Sequence, residues 1–140
     1  MLKTLEVPAQ SEKLPEVQAF VQEQLKAIFQ CPEDILWKTE LAIEEIFVNV
    51  AHYAYPNKDG LVSISVGYDD SARDDALIIF KDHGTPYDPM KKTDPNLKLS
   101  ANDRPIGGLG IFLTKKMMDN VAYKFEDNAN ILTLTKKIKQ

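Results

Sequence analysis

Between Cys31 and Tyr55 the chain reads "CPEDILWKTELAIEEIFVNVAHYAY", and this run constrains the fold more than any other stretch. It predicts one long helix: Pro32, Glu33 and Asp34 suit a first turn, and Pro56 stops the helix at the other end. From residue 41 to 54 only Glu44 and Glu45 carry charge at neutral pH, while Leu41, Ala42, Ile43, Phe47, Val48, Val50 and Ala54 are apolar. A helix so poor in solvated groups must be covered on most of its sides. The chain has 140 residues, enough to bury about two thirds of its unfolded surface in one domain spanning 1–140.

At 3.6 residues per turn, Glu45, Asn49 and His52 fall within about 60° of one another, and Ile43, Phe47, Val50 and Ala54 gather opposite. Taken alone, such a stripe is the wetted side of an amphipathic helix. The scarcity of charged neighbours turns it instead toward a pocket. There an acid can act as a base, and an amide one turn away offers an oxygen to a hard cation. His52 reads as a packing or hydrogen-bonding residue beside that pocket.

The remaining pattern supplies the cover. "LKTLEV" alternates like a short strand, and "SEKLPEVQAFVQEQLKAIF" is a helix, with Ser11 as its N-cap. After the turn "NKDG", the runs "LVSISVGYD" and "DALIIFKDH" form a hairpin across "DSARD". Residues 84–110 hold four of the eight prolines and four of the six glycines, a segment too long and irregular for a plain connection and read as a lid. "GIFLTKKMMDNV" resumes helical spacing, with Met117 and Met118 as core and rim. "AYKFED", the turn "NAN" and "ILTLTKKI" then close a second hairpin. The order implies α+β architecture, with helices layered on one face of a mixed, mostly antiparallel sheet.

Charge narrows the partners. Lys and Arg number 17 against 21 Asp and Glu, a net charge of −4, which argues against direct nucleic-acid binding. Residues 1–90 carry 7 basic and 16 acidic side chains, but residues 91–140 carry 10 and 5, so an anion would favour the second part. Cys31 is the only cysteine, which excludes an internal disulfide and fits a reducing compartment. No run approaches the roughly 18 apolar residues of a membrane span, so the expected place is the cytoplasm, away from the membrane.

Two further motifs carry chemistry. "KDHGTPYDP" puts Asp82 at a strand end, followed by Gly84 and Pro86, which alone is a turn as readily as a site. His83 reads as an exposed loop residue. "RPIGGLGIFLTKKM" sets Gly107, Gly108, Leu109 and Gly110 at a helix start, where free amides and the helix dipole favour anions. A glycine hinge without ligand fits the same letters. It is neither a Walker loop nor a dinucleotide fingerprint. Arg104, Lys91 and Lys92 within the lid are solvated charges that can also meet a phosphate.

The order of these motifs, acid and amide on a helix, strand-end Asp-x-Gly, lid, then Gly-Gly-x-Gly opening a helix, resembles the Bergerat-type ATP-binding superfamily. That superfamily holds DNA gyrase, the heat-shock-90 chaperones, sensor histidine kinases and mismatch-repair ATPases. Within it, "EEIFVNVAHYAYP", "DHGTPYDP", "GGLGIFLTKKMMDNVAY" and "NANILTLTKK" resemble the anti-sigma factor serine/threonine kinases over nearly the whole chain. The resemblance implies a two-layer α/β sandwich binding ATP and Mg2+. It implies Glu45 as general base, Asn49 as magnesium ligand and Asp82 as acceptor for the adenine amine. Gly84 would lie against the base, the amides of Gly108, Leu109 and Gly110 would hold phosphates, and Thr133 would support Asp82 through water. It further implies an anti-anti-sigma (STAS-type) substrate, a captured sigma factor and a homodimer. A carboxylate suits adenine's donor amine and repels guanine's carbonyl. Three rivals differ in class: a nucleotide-dependent binding module without phosphoryl transfer, a sensor histidine kinase lacking its dimerising helices, and a plain structural domain.

Overall fold

The computed structural model describes residues 1–91 and 108–138. Lys92, Arg104 and Gly107, with most of the expected lid, lie outside the described residues. Strand β1 (Leu2–Pro8) leads through a 3-10 turn (Ser11–Lys13) into helices α1 (Leu14–Phe29) and α2 (Glu33–Tyr53). Strands β2 (Leu61–Asp69) and β3 (Ala72–Asp82) follow, then a 3-10 turn (Pro89–Lys91), helix α3 (Gly108–Met117), and strands β4 (Asn120–Glu126) and β5 (Ala129–Lys137). Ser11 does not cap α1. It opens the 3-10 turn, and neither that turn nor α1 has a side-chain cap. The ring of Pro15 is tolerated only in the first turn of a helix, which places the start of α1 beside it at Leu14.

The five strands form one sheet in the order β1-β2-β3-β5-β4. Every pairing among the described residues is antiparallel, so no parallel rung of a mixed sheet is seen. Alternation decides what each face carries. Val62, Ile64 and Val66 of β2, Ala76, Ile78 and Phe80 of β3, and Leu132 and Leu134 of β5 are buried under the helices. Into this face pack Val17, Val21 and Leu25 of α1, Ile35, Ile43, Ile46 and Phe47 of α2, and Ile111 of α3. Phe47 and Ile43 are fully enclosed, as the apolar side of α2 requires.

The same alternation places polar groups at one end of the core. Asp82 continues the inward row Ala76-Ile78-Phe80, and Asn130 continues the inward row of Leu132 and Leu134 on the facing strand. Asp82 and Asn130 are direct ladder partners. Both are buried, at 6% and 8% exposure. The hairpin that delivers Asn130 turns at Asp127 and Asn128, both with positive φ (54° and 61°), a pair of residue types that adopts this left-handed conformation at low cost.

Candidate nucleotide site

A cleft opens where the inward rows of β3 and β5 run out beneath the C-terminal half of α2. Among the described residues it is lined by Asn49, Val50, Tyr53 and Ala54 of α2, by Phe80, Asp82, Thr85 and Tyr87 from β3 onward, and by Tyr123, Asn130 and Leu132. Asn49 and Asp82, 33 positions apart in the sequence, therefore face one space. Most of the wall is hydrocarbon and aromatic, with a few convergent polar groups, the composition expected of a small-molecule site. The cleft encloses about 60 Å³, well below the ~300–1,000 Å³ usual for such sites. Tyr53 and Tyr87, both exposed, stand at its rim.

The polar end of the cleft is a network centred on Asn130. Its Nδ2 donates to Asp82 Oδ1 (2.9 Å) and to the carbonyls of Thr85 (3.0 Å) and Gly84 (3.5 Å). Its Oδ1 accepts from the Tyr123 hydroxyl (2.5 Å) and the Tyr87 amide (3.1 Å). Asp82 Oδ1 also accepts the Gly84 N–H at 2.8 Å. Oδ1 thus has two donors, while Asp82 Oδ2 has no partner among the described residues. A carboxylate oxygen without a donor is open to accept one from a ligand. This end of the cleft therefore fits a ligand group that donates a hydrogen bond, such as an amine. Burial pushes the Tyr123 phenol above its ordinary range, and at neutral pH it is a donor.

Gly84 is needed for close approach. A Cβ there would collide with the Ala54 carbonyl at the end of α2, and the next amide, Thr85 N–H, donates to that carbonyl at 2.7 Å. Gly110 permits a similar approach between α3 and α2. A Cβ on it would lie 2.5 Å from Glu45 Oε2, so the absence of a side chain lets the first turn of α3 close upon the Glu45 carboxylate. Gly108 and Leu109 form the opening of that helix. Glu45 itself is half-buried one turn before Asn49. The N-terminal amides of α3 and the Glu45 carboxylate are neighbours, and anions are favoured at such an end.

Two expectations are changed by the structure. Thr133 pairs with Ile79 rather than Asp82. Three positions from Asn130, it projects to the opposite face of the sheet and cannot support Asp82. Asn130 occupies that supporting place and contacts the carboxylate directly. Sequence reading misses it because "NAN" has the composition of a turn, whereas the turn lies at Asp127 and Asn128 and leaves Asn130 in β5. His52, expected beside the pocket, stands edge-on to the cleft-lining Tyr53 with ring centroids 6.0 Å apart, though it is exposed and does not itself line the cleft. His83 is an exposed loop residue, as expected, with Nδ1 3.1 Å from the Asn128 carbonyl.

A model of the histidine kinase-like ATPase domain matches residues 7–136. A serine/threonine-protein kinase of Bordetella bronchiseptica, BtrW, is 28% identical over 96 residues, covering 68% of this chain and 66% of that protein. The serine-protein kinase RsbW of Staphylococcus aureus is 27% identical over 112 residues, 76% of this chain and 69% of that one. Among solved structures, the chain holding the RsbU and RsbW domains of Rv1364c from Mycobacterium tuberculosis matches with a TM-score of 0.66 at 13% identity. That match covers 99% of this chain but 33% of the other. It bears on fold alone, and the fold it supports is the α+β sandwich described above.

Proposed function

Because this chain belongs to the histidine kinase-like ATPase domain family, we propose that it is an ATP-dependent serine/threonine protein kinase acting as an anti-sigma factor. Its substrate is an anti-anti-sigma protein of the STAS type, and its captive is a sigma factor. The observation that carries the reading is the shared cleft of Asn49 and Asp82, with Glu45 one turn away against the opening of α3. Serine-kinase relatives, matched over 66% and 69% of their own lengths, support it further.

In this reading Asp82 Oδ2 accepts the adenine amine, and Gly84 lets the base lie against backbone. Asn130 holds the carboxylate in place of Thr133. The amides of Gly108, Leu109 and Gly110 receive phosphate oxygens. Asn49 offers its side-chain oxygen to Mg2+, which when bound offsets charge on the phosphates. Glu45 accepts the proton of the substrate serine as its oxygen bonds to the γ-phosphorus and ADP leaves. Catalysis of this kind depends on positioning and electrostatics more than on covalent chemistry. Among the described residues no helix is long and apolar enough to cross a membrane. We assign the chain to the cytoplasm as a single domain that pairs with a second copy.

The test is transfer of labelled phosphate from ATP, with magnesium, to the cognate STAS-type partner. Wild type should label it, and Glu45→Gln should lose on the order of 10²–10⁴-fold in rate. ATP binding without transfer in either protein would overturn the kinase and leave the nucleotide-dependent binding module.

A further inference from the structure

Tyr55 lies outside the cleft yet touches the loop that carries its base-recognising residues. Its hydroxyl accepts the backbone N–H of His83, the residue between Asp82 and Gly84, at 2.8 Å. The same hydroxyl donates to the Leu61 carbonyl at the start of β2, at 2.6 Å. Its ring lies flat against Gly60, where any Cβ would collide with it. The neighbouring residue Ala54 receives the Thr85 N–H. Two consecutive residues at the end of α2 therefore grip residues 83 and 85, on either side of Gly84, and Tyr55 ties that grip to the sheet.

We propose that Tyr55 is a positioning residue for adenine recognition, holding the loop after β3 so that the Asp82 carboxylate faces the cleft. The inference rests on Asp82 as the adenine acceptor. The geometry explains why a phenol is used. One oxygen must accept from an amide and donate to a carbonyl at the same time, while a flat ring fills the space over Gly60; a hydroxyl on a rigid aromatic stem does both. The group is a phenol at neutral pH in any case; burial pushes it further upward, with the His83 amide opposing and the negative charge of Asp82 adding. It touches no nucleotide atom in this reading, so its effect passes through His83 and Asp82.

Tyr55→Phe keeps the ring and removes the oxygen. Isothermal titration with ADP and GDP on the full chain should show ADP affinity falling roughly tenfold, with GDP affinity unchanged, so that preference for adenine shrinks. In the kinase assay KM for ATP should rise while kcat holds. The His83 amide should exchange slowly with deuterium in wild type and faster in Tyr55→Phe. Unchanged ADP affinity, or an equal loss for ADP and GDP, would overturn the inference, since a merely structural residue would weaken both alike. If Tyr55→Phe does not fold, exchange in wild type decides: a His83 amide exchanging as fast as fully exposed loop amides sinks the proposal. A wild-type chain that binds no adenine nucleotide would remove the functional reading as well; one that binds and transfers while Tyr55→Phe matches it removes this inference alone.

Discussion

Asn130 makes full use of a primary amide: two acceptor bonds at Oδ1 and three donor contacts at Nδ2, the one to Asp82 buried and the others partly so. Asn130→Ala would leave Asp82 Oδ1, the Tyr123 hydroxyl and two carbonyls short of partners. Each buried orphan costs about 1–3 kcal/mol. The variant should melt several degrees lower and bind ATP more weakly, by thermal denaturation and titration, whereas Asn130→Thr should recover some of the binding. Thr39 presents the reverse case. Its hydroxyl, on a residue 1% exposed in α2, has no hydrogen-bond partner among the described residues. Thr39→Val removes the unsatisfied oxygen at nearly constant shape and should raise the melting temperature slightly. A fall on substitution would show that the hydroxyl has a partner after all.

At the level of elements, α2 is the most legible. Its bounds follow from Pro32 and Pro56, and its buried side is the one helical spacing selects. The strands are legible to within a few residues, though β3 begins at Ala72 rather than Asp75, because the polar residues before its apolar run still pair across the hairpin. What the letters hide is register. The second hairpin turns at Asp127 and Asn128, one residue earlier than the start of the turn that composition suggests, and in a period-two structure such a slip decides which residues meet. Asn130 is lost to the turn, and Thr133 gains a role it cannot fill. Helix α3 yields a test of the Glu45 contact. Gly110→Ala adds up to about 1 kcal/mol of helix propensity, yet its Cβ meets the Glu45 carboxylate, the free end of a flexible side chain. The melting temperature should hold or rise while phosphoryl transfer falls on the order of a hundredfold. Loss of both together would mean that the helices separate.

For the whole molecule, nucleotide binding should register as stability. ATP with magnesium at 100 times its dissociation constant adds about 2.7 kcal/mol, a rise of roughly 5–10 °C for a chain of this size, and GTP at equal concentration should give far less. A single unbroken helix also sets the span of the site. From Glu45 to Ala54 the backbone climbs nine residues, about 13 Å at 1.5 Å each, so in the proposed reading α2 serves as a ruler whose two marks are a proton acceptor and the clasp for a purine loop. A ruler of this kind tolerates repainting but no change in length. One residue inserted between Asn49 and Ala54 would swing the upper mark by about 100° and leave two half-sites facing different directions.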